Sequence, residues 1–203
     1  LADGDEISFQ NYSSDGYLYP SRGLIGDGNN VVHHTYSSIN TAFMYKLIRN
    51  SETGGYSLKY CHYPTSNSKV TADWATKRVV MSNTDNAVTQ EWLIVPYDYD
   101  TFKIVLRSDM SYAMTAVGDP AWSNDDTTTT TDGHVIISKV SEAPANNQLW
   151  YVIKNGTYLE TGVFRSALET GDYYFNNAYT GKFLHRSGNT SINGQSGLLS
   201  SLG

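Results

Sequence analysis

The chain has 203 residues, enough for one domain or for one domain and part of another, with a formal net charge of −6 and only 17% charged residues. That acidic balance excludes a surface built to grip nucleic acid or heparin, which would need clustered Lys and Arg. No run reaches the ~18 apolar residues of a membrane span, and a single cysteine, Cys61, excludes an intramolecular disulfide and any two-Cys metal site.

With 16 Tyr, 17 Gly and abundant Ser, Thr and Asn, the composition favours strands and turns over helices. The first predicted strand spans 6–12. It turns at Ser13-Ser14-Asp15-Gly16, whose residues tolerate positive φ or bond their own backbone, and resumes at 17–19. A third strand is expected over 30–34 and a fourth over 43–48. The order then repeats, with strands over 56–60, 72–74, 78–81 and 92–95, and again over 102–106, 111–115, 134–137 and 150–153. Asp125-Asp126 and the five threonines after them form a low-complexity loop in the third repeat.

Each repeat closes on an aromatic anchor. Gln90-Glu91-Trp92 and Gln148-Leu149-Trp150 share Gln-x-Trp, and Thr41-Ala42-Phe43 reads as a degenerate third copy. The anchors lie 49 and 58 residues apart, and three units of about 50 residues with four short strands each point to a closed threefold all-β barrel. The Trp is expected to fill the core. The Gln amide, on the same strand face, is expected to bond a neighbouring loop's backbone.

After Ile153, Lys154-Asn155-Gly156-Thr157 reads as a turn and 156–171 as a connector, which gives a first domain over 1–155. The stretch 172–203 repeats the opening grammar, with strands over 172–177, 182–185 and 197–200. It is expected to be an incomplete fourth unit that begins a second barrel or docks as an extra hairpin. The anchor spacing places a fourth anchor between about 199 and 208, so the chain is expected to be a fragment, its last unit completed by a missing C-terminal segment or another chain.

From about Asp5 to Ile153 the chain resembles the ricin B-type β-trefoil lectins, whose units end in Gln-x-Trp. The resemblance implies a sugar site within each unit, made by an Asp after the second strand, an aromatic near the third, and an Asn directly before the motif Gln. Such a pocket needs a carboxylate or amide fork for vicinal hydroxyls and an aromatic face for the apolar side of the ring. In unit three the matching residue is Asn147; in unit one it is Asn40, before Thr41; in unit two Thr89 stands there instead. Tyr19 and Thr115 occupy the family's Asp positions, so Asp27 and Asp119, a few residues on, are the substitutes. Trp122 in unit three, and His34 and Tyr36 in unit one, are the aromatic candidates.

Catalysis has no support in the sequence. His33 and His34 are adjacent in a strand and face opposite ways, and no zinc-binding helix motif, nucleophile elbow or phosphate loop occurs. The expectation is therefore a secreted or extracellular, non-catalytic carbohydrate-binding module without cofactor or metal. Its partners would be glycans or glycoproteins, with toxin targeting one use. Three Asn-x-Ser/Thr sequons, at Asn11, Asn155 and Asn189, are compatible with secretion. The alternative is a trefoil protein-interaction module, such as a protease inhibitor, binding through its long loops.

Overall fold

The computed structural model describes residues 1–35, 40–120, 133–140 and 145–162, together with the backbone of residues 183–186 and 197–200. Its contacts divide the chain into Leu1–Arg165 and Ser166–Gly203.

The first unit of the larger part runs β1 (Glu6–Asn11), β2 (Tyr17–Pro20), β3 (Val31–His34) and β4 (Tyr45–Arg49). The second runs β5 (Tyr56–Tyr60), β6 (Lys69–Asp73), β7 (Arg78–Ser82) and β8 (Trp92–Pro96), and the third β9 (Thr101–Leu106), β10 (Tyr112–Ala116), β11 (Val135–Lys139) and β12 (Trp150–Lys154). Outer strands pair in the cycle β1, β4, β5, β8, β9, β12 and back to β1, all antiparallel. This ring of six strands is a barrel with no free edge, which removes the hazard an open sheet carries. The inner pairs β2–β3, β6–β7 and β10–β11 are hairpins. They touch one another through Asn30↔Val80, Val32↔His134 and Ile136↔Arg78, forming a three-cornered cap on the barrel. A six-stranded barrel capped by three hairpins is the β-trefoil.

Strand register identifies the equivalent positions. Trp92 pairs with Tyr56 and Leu106, Trp150 with Phe102 and Asn11, and Tyr45 with Ile7 and Tyr60. The third anchor is therefore Tyr45, and the sequence expectation of Phe43 is corrected by two residues. All three anchors are fully buried, and each indole removes apolar surface worth on the order of 4 kcal/mol from water. The indole nitrogens of Trp92 and Trp150 donate to the carbonyls of Val70 (3.0 Å) and Met114 (3.1 Å). Leu18, Leu47, Leu58, Met81, Ile104 and Val152 pack in the same core.

Two further expectations shift. The strand predicted over 72–74 is β6, Lys69–Asp73, and Trp74 lies in the turn beyond it. There Asp73 accepts from the amide of Ala75 and the hydroxyl of Thr76, and the Lys77 ammonium sits 4.2 Å from the Trp74 ring. Beyond the Asn155-Gly156 turn, β13 (Thr157–Tyr158) pairs back onto β12, so the segment read as a connector starts with a strand. In the smaller part, β14 (Phe183–Arg186) pairs antiparallel with β15 (Gly197–Ser200). The strand expected over 172–177 lies outside the described residues.

Candidate functional site

The segments before the anchors are short helical turns. A 3-10 turn, Asn146–Gln148, precedes Trp150, and a single helical turn, α1 (Ala87–Gln90), precedes Trp92. Gln148 is buried, and its amide nitrogen donates to Thr115 Oγ1 (3.2 Å), Ser138 Oγ (2.9 Å) and the carbonyl of Lys139 (3.0 Å). Gln90 does the same work in unit two, donating to Thr71 Oγ1 (3.0 Å) and the carbonyl of Thr84 (2.7 Å). In unit one the equivalent of Gln is Phe43, and Tyr19 replaces Thr. Their rings pack 5.0 Å apart, so an aromatic pair substitutes for a hydrogen-bonded one.

Asn147 is half-buried beside the end of β10. Its amide nitrogen donates to the carbonyl of Ala116 at 2.9 Å, and its own backbone carbonyl accepts from Asn11 Nδ2 at 3.0 Å. Among the described residues its side-chain oxygen has no partner, which leaves an acceptor and one amide hydrogen for a ligand. Asp119 lies exposed in the turn three residues after Ala116. That turn packs tightly on unit one: a side chain at Gly16 would stand 3.0 Å from His33 Nδ1 and 3.1 Å from Pro120 Cβ. Unit three thus holds Asn147 and Asp119 at the same end of β10. Trp122 lies outside the described residues.

His33 ties this region to unit one. It is fully buried, with Nε2 3.1 Å from the Val117 carbonyl and Nδ1 2.9 Å from Ser14 Oγ. The ring therefore carries its hydrogen on Nε2 and accepts from Ser14 when neutral. Ser14 Oγ also lies 3.2 Å from Asn11 Oδ1, which completes a chain of polar contacts to Asn147. Burial pushes the His33 pKa below the usual histidine value, and neither the Val117 bond nor the charge of Asp119 reverses this.

Three unit-one candidates, Asp27, Asn40 and His34, are engaged elsewhere. Asp27 reaches across to unit two, accepting from the amide of Asn83 (2.6 Å) and the hydroxyl of Ser82 (3.2 Å); these bonds hold its carboxyl below the ordinary range. Asn40 caps the 3-10 turn Thr41–Phe43, accepting from the amide of Ala42 at 2.8 Å. By register Ala42, not Asn40, is the equivalent of Asn147. His34 is buried with its ring 5.5 Å from Tyr19 and 6.4 Å from Phe43, and burial lowers its pKa. Tyr36 lies outside the described residues. No group of three or more metal-ligating side chains is present among the described residues, and none of their helices is long and apolar enough to cross a membrane.

Sequence reasoning passed over one further cleft, lined by Glu91 and Arg107. The signal was a charged residue in the middle of Gln90-Glu91-Trp92, where the third unit has Leu149.

No family model and no curated protein matches the sequence. Solved structures do. The Rhizoctonia solani agglutinin is similar at 18% identity, with 76% of this chain and 98% of that one covered and a TM-score of 0.58. The fold these structures share with this chain is the β-trefoil. The C-half of an earthworm R-type lectin, solved in complex with GalNAc, is similar at 10% identity over 74% of this chain and 99% of its own, with a TM-score of 0.51. A mosquitocidal holotoxin is similar at 12% identity and a TM-score of 0.59; 98% of this chain is covered, and it spans 22% of that protein.

Proposed function

We propose that the trefoil is a non-catalytic carbohydrate-binding module, secreted or extracellular, which recognises cell-surface or environmental glycans through loop pockets. The observation that carries this reading is Asn147: a half-buried carboxamide anchored by one bond to the Ala116 carbonyl, with its oxygen open, at the end of β10 that leads into the turn with the exposed Asp119. An amide and a carboxylate at one strand end can serve two neighbouring hydroxyls of a sugar ring. That a lectin of this fold was solved with GalNAc supports the same reading. The likeness to a stretch of a holotoxin covers nearly the whole chain, and this supports a targeting role beside another part of a larger protein.

The test is a glycan array with the labelled chain and its Asn147→Ala variant. At least one glycan class is expected to bind, and to lose about tenfold or more in affinity on removal of the carboxamide, as for loss of a well-formed hydrogen-bond fork. A folded chain that binds no glycan yet inhibits members of a protease panel would replace this reading with a protein-interaction module.

A further inference from the structure

The trefoil's pseudo-symmetry supplies an internal control for what a position needs structurally. At the residue before each anchor, units one and three place Met44 and Leu149, and unit two places Glu91. Equivalence is fixed by backbone bonds: the amides of Cys61, Arg107 and Tyr12 donate to the carbonyls of Met44, Glu91 and Leu149 at 3.0, 2.8 and 2.9 Å. An apolar side chain therefore satisfies the fold at this place. Unit two instead buries a carboxylate to 5% exposure, a costly choice unless its oxygens are bonded.

Two other departures accompany it. Gly55 stands where the other units have Glu6 and Thr101, and a Cβ there would lie 3.3 Å from Glu91 Oε2 and 3.5 Å from Arg107 Cγ. The missing side chain makes room for the carboxylate. Arg107 replaces Tyr12 and Cys61, and its Nε donates to the carbonyl of Thr53 at 3.3 Å. Its terminal nitrogens have no partner among the described residues. Glu91 accepts from Asn50 Nδ2 at 2.6 Å and Thr53 Oγ1 at 2.7 Å, one bond to each oxygen, and each oxygen keeps a free lone pair.

These groups line a cleft of about 240 Å³ between the β4–β5 turn, α1 and the turn after β9, with Ser108 and Val88 completing its wall. Val88 is 60% exposed and forms an apolar lip. The volume is below that of a drug-sized pocket and suits a single ring. Charge selects the ligand class. An anion would meet the carboxylate and a cation the guanidinium, whereas a neutral diol donates to Glu91 and accepts from Arg107 at once.

We propose that this cleft is a second saccharide site, which binds one neutral hexose residue through Glu91 and Arg107 and lies apart from the unit-three pocket. It shares a ligand class with the proposed function but does not depend on Asn147.

Saturation-transfer NMR separates the two, using methyl glycosides of galactose, N-acetylgalactosamine, glucose and mannose, with glucuronic and sialic acids as acidic probes. Arg107→Ala and Asn147→Ala are compared with the parent chain, and thermal melts confirm that each folds. At least one neutral hexoside is expected to bind the parent chain, to persist in Asn147→Ala and to weaken about tenfold or more in Arg107→Ala, the loss of a charge-assisted hydrogen-bond pair. If Arg107→Ala does not fold, Ser108→Trp, which fills the cleft from an exposed position, takes its place with the same expectation. Unchanged neutral binding in the cleft variants, loss of all binding in Asn147→Ala, binding of acidic sugars alone, or no saccharide signal at all would each overturn the proposal. Loss confined to the cleft variants would uphold it and count against Asn147.

Discussion

At the scale of single residues, buried polar groups do the positioning. Gln90 and Gln148 are buried amides whose donors are fully used by loop carbonyls and hydroxyls, so they hold the hairpin cap to the barrel rather than facing solvent. His33 joins unit one to the turn beside Asn147, and its neutral form is favoured by burial. Its folded pKa lies below the unfolded value of ~6.5, so the native state binds fewer protons than the unfolded chain across that interval. The stability it contributes is complete above about pH 6.5 and is lost as pH falls from there toward the folded value. His34 is lowered in the same direction and adds to the effect. Urea midpoints are therefore expected to fall between pH 7 and pH 5, with a shallower fall in His33→Gln; an equal fall in both proteins would show that His33 does not carry the dependence. The carboxyls lowered by hydrogen bonding, such as Asp27 and Asp73, act in a separate window, below their ordinary range.

At the scale of elements, the three units solve one packing problem in two ways. Units two and three join the anchor turn to the second strand through a Gln–Thr bond, and unit one does so through Phe43 and Tyr19. Either single change, Phe43→Gln or Tyr19→Thr, strands one member beside an unsuited partner and is expected to cost about 1–3 kcal/mol. The double variant is expected to recover part of that cost, with a coupling of about 0.5–2 kcal/mol in a double-mutant cycle read from urea unfolding. Strict additivity would show that the pair does not act as a unit.

Of the twelve strands of the three units, all but β6 fall within about two residues of the predicted spans, because short runs of apolar and β-branched residues bounded by turn residues mark them in sequence. β6 was displaced because Trp74 read as a strand aromatic, whereas its ring packs edge-on at 4.9 Å against Tyr112 from the following unit. The third anchor was misplaced for a related reason. Phe43 and Tyr45 are both aromatic, and only the pairing of Tyr45 with Ile7 and Tyr60 assigns the role.

At the scale of the whole molecule, closure depends on the N-terminal strand. β1 pairs with β12 over five residues, from Ile7↔Lys154 to Asn11↔Trp150, and with β4 at Ile7↔Tyr45. Ile7 and Phe9 are fully buried. A chain that starts at Tyr12 loses both and leaves β4 and β12 as open edges, so it is expected to lose its cooperative thermal transition and its near-ultraviolet circular dichroism. A sharp melt in that variant would show that the barrel does not need the strand.

The candidate sites divide along the same line. Asn147 was visible in sequence because it stands beside a motif glutamine. The Glu91–Arg107 cleft was not, since its parts come from positions 50–55, 88–91 and 107–108, and only barrel closure brings them together. Asp27 and Asn40 were residues of the right type, but the fold gives them a cross-unit bond and a helical cap.

By itself the sequence determined the class of fold, the three units of the barrel and two of the three anchors, because the recurring strand pattern and the burial of large aromatics are local demands that each strand must meet alone. The tertiary structure decided the third anchor, the partners of each loop side chain and the second cleft. Those follow from register around a closed barrel, and register is a property of strand pairs that no single stretch of chain contains.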